Sequence, residues 1–239
     1  MIKAVFFDLD GTLLPLNEEA FTKVYFGLLL KKIEGLGYEK DKFIKTLWEG
    51  TSLMYKNDGT KTNEEAFWGH FKEVYGEDKY NRDKKVFDEF YVNEFRNLKV
   101  ICEENKYAKE IVDFVKSQNL LCVLSTNPIF PLSADLTRMS FIGLKESDFD
   151  YITAYENSSH SKPNPEYFLD LLKKFNLKGE EVILFGNNDV EDYLCASKCG
   201  IKCYLVGNHL LLHPEYKLNP PVIKMEEVIS TIKGNLTND

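Results

Sequence analysis

Asp8 and Asp10 stand one residue apart at the end of the apolar run Ala4–Phe7 and are followed by Gly11, Thr12 and Leu13. If that run is a buried strand of an open α/β sheet, both carboxylates emerge at the edge where ligands bind. Like charges about 4 Å apart repel by roughly 4 kcal/mol at an effective dielectric near 20. Such a pair therefore asks for a shared proton or a cation, and Mg²⁺ suits hard oxygen ligands. A bare Asp-x-Asp is usually a solvated acidic turn. The full string Phe6-Phe7-Asp8-Leu9-Asp10-Gly11-Thr12-Leu13-Leu14 is far more specific than that.

Three further stretches carry polar chemistry next to apolar runs. The run Leu121–Leu124 leads into Ser125, Thr126 and Asn127. Ser161-Lys162-Pro163-Asn164-Pro165 opens an amphipathic segment. The run 182–185 ends in Gly186 and the loop Asn187-Asn188-Asp189-Val190-Glu191-Asp192. Any one of these is a weak signal. With the first string, and in this order, they resemble the four motifs of the haloacid dehalogenase-like (HAD) superfamily of hydrolases. Each stands where a strand ends or a helix starts.

The resemblance implies roles for the matching positions. Asp8 is expected as the nucleophile that forms an aspartyl phosphate. Asp10 is expected to protonate the leaving alkoxide and then to activate water, which requires environments that separate the two pKa values. The family's dehalogenase branch lacks an acid/base aspartate at this place, because halide leaves without a proton. Asp10 therefore favours phosphoester chemistry. Thr126 through its hydroxyl and Asn127 through its main-chain amide are expected to bind the phosphoryl group. Ser125 is the neighbour that strand alternation turns away if Thr126 faces the site. Lys162 is expected to neutralise developing charge and to hold Asp8.

The pattern departs in its last motif, where Asn187 stands in place of the usual Asp. An amide oxygen can ligate Mg²⁺ without supplying charge. The implied metal set is Asp8, the Asp10 carbonyl, Asn187 and Asp192, with Asp189 as a substitute acid. The resulting expectation is a Mg²⁺-dependent phosphomonoester hydrolase for a small phosphorylated metabolite. The alternatives are a phosphomutase using the same intermediate and a metabolite-binding protein with little turnover. Other residues read as structural. His160 is expected at the surface, His209 and His213 lie in a late loop with no evident carboxylate partner, and Asp135 and Arg138 are spaced to pair on one helix.

The elements that must position these residues follow from periodicity. Buried strands are expected at Ala4–Phe7, 120–124, 182–185 and 203–206, and helices at 107–117, 165–175 and 191–198. Their alternation predicts an α/β fold: a Rossmann-like, doubly wound parallel sheet. Residues 16–98 show no strand pattern. Helices are expected there at 18–34, Lys40–Tyr55, Asn63–Tyr75 and 83–95, with aromatic residues as their core. The domains are therefore a core of residues 1–15 and 99–239 and an inserted all-helical domain, 16–98. In position and helical character this resembles the family's mobile C1-type cap, with hinges near 13–16 and 96–100. The tail after Gly234 is expected to fray.

Composition is that of an ordinary globular chain: 239 residues, 44% hydrophobic and 28% charged. A net charge of −8 argues against nucleic acid and anionic membranes as partners. It leaves anionic substrates open, since a bound cation inverts the local sign. No targeting or membrane-spanning run stands out. Cys195, Cys199 and Cys203 recur every four residues, which raises a metal site. Gly200, however, ends the helix between them, so reduced thiols of a cytoplasmic protein are the expectation. A monomer or small homo-oligomer fits this composition.

Overall fold

A computed structural model describes residues 1–236. Six parallel strands form its sheet: β1 (Ala4–Phe7), β2 (Leu121–Leu124), β3 (Tyr151–Ile152), β4 (Val182–Gly186), β5 (Lys202–Val206) and β6 (Val222–Ile223), in the order β3-β2-β1-β4-β5-β6. The chain winds outward from β1 in both directions, which is the doubly wound α/β arrangement. All four residues of β1 are buried. Val5 and Phe7 enter the apolar cluster on one face of the sheet and Ala4 and Phe6 the cluster on the other. This two-sided burial explains why β1 reads as a continuous apolar run. The rings of Phe7 and Phe185 stack across β1 and β4 with centroids 5.6 Å apart.

The sheet is in register at its carboxyl edge. Phe7 pairs with Leu124 on one side and Phe185 on the other, and the next amides continue the ladder, Asp8 N to Phe185 O and Ser125 N to Phe7 O. That register carries Asp8, Thr126 and Asn187 to one edge. The strands β3 and β6, two residues each, are too short to show a period and escaped the sequence reading.

Helices α5 (Ala108–Ser117), α6 (Leu132–Ser140), α7 (Glu166–Lys174), α8 (Cys195–Lys198) and α9 (Val228–Leu236) accompany the sheet. Of the segment expected at 191–198, the first part is a π-helical turn, Asp189–Leu194, and only the rest is α-helix. Gly200 sits at φ +73° just beyond it, the left-handed stop expected of glycine. Helix α9 continues to Leu236, past the point where fraying was expected; residues 237–239 lie outside the described part. All five cysteines are free thiols. Cys203 lies on β5 and packs in one apolar cluster with Cys195 of α8, and among the described residues the three cysteines form no group arranged to hold a metal.

Between β1 and α5 lie four helices: α1 (Glu18–Lys32), α2 (Lys40–Tyr55), α3 (Asn63–Tyr75) and α4 (Glu77–Val92), then a 3₁₀ stretch, Glu94–Ile101. Local chemistry sets their ends. The Asn17 side chain accepts from Ala20 N at the start of α1, and Thr62 with Glu65 forms a capping box on α3. Helix α4 begins six residues before the expected start at 83. Gly76, at φ +86°, breaks the chain, and Glu77 and Asp78 then suit a helix N-terminus. It stops at Val92, and Glu94–Ile101 tighten into 3₁₀ turns. The helices share an aromatic core that includes Phe43, Trp68, Phe71, Phe87 and Phe90. The two strands of chain that enter and leave this insertion run side by side, joined at Leu16 and Cys102 and by Glu103 N to Pro15 O.

Candidate active site

The carboxyl edge of β1 delivers Asp8 into a nearly dry environment. Its Oδ1 accepts from Lys162 Nζ at 2.9 Å, and its Oδ2 accepts from the Thr12 hydroxyl at 3.1 Å. Lys162, from the turn preceding α7, is 1% exposed. It is held on its other side by Asp192 Oδ1 at 2.6 Å. Burial pushes the Asp8 carboxyl up to about 7; the Lys162 ammonium opposes the rise and Asp192 adds to it. Lys162 is itself held well above the usual lysine range, because its two carboxylate partners outweigh burial.

Asp10 faces the same cavity, and its carboxylate is paired with Arg138. Arg138 is a buried arginine on α6. It also bonds Asp135, as its spacing suggested, and lies over the Phe130 ring at 4.8 Å. Reaching Asp10 as well makes it part of the site, which spacing alone did not show. Burial raises the Asp10 carboxyl, with Arg138 working against that rise. The second oxygen, Oδ1, is buried without a hydrogen-bond partner. Asp10 is thus a carboxylate with one oxygen anchored and one oxygen uncommitted.

Strand β2 resolves the Ser125/Thr126 alternative. Ser125 is fully buried and its hydroxyl donates to Phe7 O. Thr126 lines the cavity, with its carbonyl fixed by the hydroxyls of Thr153 and Tyr167. The Asn127 side chain acts as a latch, accepting from Lys162 N and donating to Glu191 and Tyr55. Glu191, another residue the sequence reading passed over, is pushed up to about 7 by burial, with Lys162 opposing.

The loop after β4 departs most from expectation. Asp192 was expected as a metal ligand. Its Oδ1 accepts from Lys162, and its Oδ2 accepts the main-chain amides of Asn187 and Asn188 at 3.0 Å each. The π-helical turn swings this carboxylate under the strand end, where a Cβ on Gly186 would lie 2.3 Å from it. Only glycine at 186 leaves it room. Asp189, the substitute acid, binds His213 through both the main-chain amide and Nδ1, so that histidine does have a carboxylate partner. His209 likewise meets Glu103 at 3.2 Å, and His160 meets Asp170 at 2.7 Å. None of the three histidines lines the cavity.

Asn187 donates through Nδ2 to His209 O at 2.8 Å, packed against Gly11. Its Oδ1 is thereby the uncommitted end. The groups that could hold a cation at this edge are the Asp8 and Asp192 carboxylates, the Asp10 carbonyl and Asn187 Oδ1, because a carboxylate oxygen that accepts a hydrogen bond keeps a further lone pair. Among the described residues, no trio of Asp, Glu, His or Cys side chains is arranged to hold a metal by itself. Even so, Asp8, Asp10, Glu191 and Asp192 surround the cavity with Lys162 as its single lining cation. That excess of buried acid fits a divalent ion.

Comparison with known proteins places the whole chain among relatives of similar length. The chain is 27% identical over 244 residues to a phosphorylated carbohydrates phosphatase of Thermotoga maritima, covering 97% of this chain and 99% of that protein. Among solved structures, a β-phosphoglucomutase of Clostridium difficile shares the fold at 19% identity, with a TM-score of 0.56 over 98% of this chain and all of that one. A 2-haloacid dehalogenase of Pseudomonas syringae does so at 18% identity, with a TM-score of 0.61 over 99% of this chain and 98% of that one. Fold likeness of this kind does not choose among chemistries. Residues 2–200, which hold every side chain of the site, match the haloacid dehalogenase-like hydrolases, and the chain belongs to that family.

Proposed function

We propose that the protein is a Mg²⁺-dependent phosphomonoester hydrolase that works through an aspartyl phosphate on Asp8. The observation that carries this is Asp8 hydrogen-bonded to Lys162, with Asp10 two residues on and its Oδ1 unpartnered. Residues 1–15 and 99–239 form the catalytic domain in this reading, and 16–98 the cap. The 27% relative named as a phosphatase supports the reaction class.

Asp8 attacks phosphorus through a carboxylate oxygen, and the bond to the ester oxygen breaks. Lys162 keeps that carboxylate aimed and offsets charge on the phosphoryl oxygens. Thr126 and the Asn127 amide receive those oxygens at the cavity floor. The uncommitted Oδ1 of Asp10 delivers a proton to the leaving alkoxide and later takes one from the water that cleaves the acyl phosphate. Arg138 fixes the other oxygen so that Oδ1 keeps one direction. A Mg²⁺ ion held by Asp8, the Asp10 carbonyl, Asn187 and Asp192 would neutralise the anionic site and polarise the phosphoryl oxygens.

Asp8→Asn tests the reading. The amide has no nucleophilic oxygen anion, so phosphate release from a panel of small phosphomonoesters with Mg²⁺ should fall to background. Circular dichroism should show the fold intact. Near-normal release by this variant would remove Asp8 from the mechanism.

A further inference from the structure

The cavity above Asp8 measures about 270 Å³ and is roofed by residues from the helical insertion. Its chemistry divides sharply. The floor carries the carboxylates, Lys162 and Thr126. The roof carries aromatic and aliphatic side chains, chief among them Phe26, Leu47, Trp48, Phe67 and Trp68. Polar atoms on the roof are largely spent on one another. The Tyr25 and Tyr91 hydroxyls bond at 3.1 Å, Trp68 Nε1 donates to the Tyr155 hydroxyl at 3.3 Å, and the Thr51 hydroxyl donates to Leu47 O at 2.9 Å. Glu18, Thr22 and Tyr55 are the roof's remaining polar side chains; Glu18 is exposed at the rim, and the Tyr55 hydroxyl accepts from Asn127 and donates to Glu191.

We infer that the substrate's leaving group is an uncharged, apolar alcohol carrying about one aromatic ring, and not a sugar. This rests on the phosphohydrolase reading and narrows it. A sugar would bury several hydroxyls against carbon and leave them unpaired, at a cost an apolar group avoids. A second phosphate or a carboxylate would find no lining cation besides Lys162, which Asp8 and Asp192 already hold. A quaternary ammonium would bind only where a ring face is open to it, and phosphocholine is among the test substrates for that reason. Size agrees as well: an apolar cavity of about 150 Å³ takes up benzene, so 270 Å³ leaves space for one ring beside a phosphoryl group.

The chain has two tryptophans, Trp48 and Trp68, and both line the cavity. Intrinsic fluorescence therefore reports occupancy independently of turnover. The test compares 2-phenylethyl phosphate, glucose 6-phosphate and phosphocholine, all primary alkyl esters, in phosphate release with Mg²⁺. It also titrates the non-hydrolysable 2-phenylethylphosphonate against tryptophan emission. The expected result is a kcat/KM for 2-phenylethyl phosphate at least about tenfold above the other two, the scale on which a pocket separates side groups. The phosphonate should shift the emission saturably. Trp48→Ala, at a half-exposed position that tolerates truncation, should raise KM for the aromatic ester and shrink its advantage. Faster turnover of glucose 6-phosphate or phosphocholine overturns the inference and leaves the hydrolase reading standing. Phosphonate binding with no release from any ester supports the inference about the cavity and overturns the hydrolase reading. Emission unmoved by the phosphonate overturns the inference whatever the turnover.

Discussion

At the scale of single residues, the loop after β4 holds the site's most informative substitution. Asn187 stands where the family's pattern has an acid, and its side-chain oxygen is the uncommitted end. Asn187→Asp restores a negative charge to the ion's surroundings, so the Mg²⁺ concentration for half-maximal phosphate release should fall. Asp192 behaves differently. Three donors already reach its oxygens, so Asp192→Asn should loosen Lys162 and lower kcat, and the loss of an acid from the metal set should also raise the Mg²⁺ midpoint. A Mg²⁺ titration of both variants beside the parent protein decides between these roles. A midpoint unmoved in Asp192→Asn would mean that Asp192 does not bind the ion. Asp10 and Arg138 show the same principle: a buried carboxylate acquires direction from the partner that takes one of its oxygens.

At the scale of elements, helix α4 is tied to its neighbours by one buried charge. Asp83, 1% exposed, accepts from Arg82 Nε at 2.6 Å and from the Tyr38 hydroxyl at 2.8 Å, with Lys79 nearby at 3.4 Å. Bonding to Arg82, aided by Tyr38, lowers its carboxyl from 3.8 to about 2 against the opposing effect of burial. A carboxyl lowered in the folded state contributes stability that is fully present above its unfolded pKa and is lost as pH falls through the folded one. The window is therefore pH 4 down to 2, and the contribution about 2 kcal/mol. In urea unfolding, Asp83→Asn should be less stable than the parent by that amount above pH 4, and the gap should close toward pH 2. A gap that is constant with pH would show that the charge plays no part.

At the scale of the whole molecule, the insertion is bound to the sheet domain through its own buried contacts. Asn63, fully buried at the start of α3, donates to Pro128 O and Ser161 Oγ at 2.9 Å each and accepts from Asn57. The Ser161 hydroxyl in turn donates to Met54 O. The aromatic cluster also runs across, joining Phe21 and Phe95 to Phe130. This places the roof over Asp8 through a chain of contacts, with Ser161 directly beside Lys162. Asn63→Ala should cost about 1–3 kcal/mol, the range for leaving buried partners unsatisfied. It should also raise KM more than it lowers kcat, since it frees the roof and leaves Asp8, Asp10 and Lys162 in place. Denaturant unfolding and steady-state kinetics on one preparation check both. An unchanged KM would mean that the roof is held without this latch.

The sequence by itself determined the chemistry-bearing string of β1, the order of the four motifs and the α/β sheet. Each of these is written locally, in a run of apolar residues buried on both faces and the polar residues that end it. Helices α2 and α3 were legible for the same reason, since Gly and Asn-Asp-Gly turns set them off in the chain. Only the tertiary structure decided who shares a hydrogen bond with whom. Arg138 is 128 residues from Asp10, and Lys162 is 154 from Asp8 and 30 from Asp192; no period or spacing encodes such meetings. The direction of the Asp192 carboxylate depended on a π-helical turn and a missing Cβ at Gly186. The apolar roof depended on which faces of α1, α2 and α3 point over β1. Those faces are chosen by how the helices pack on each other and on the sheet, a property of the assembled chain and not of any segment of it.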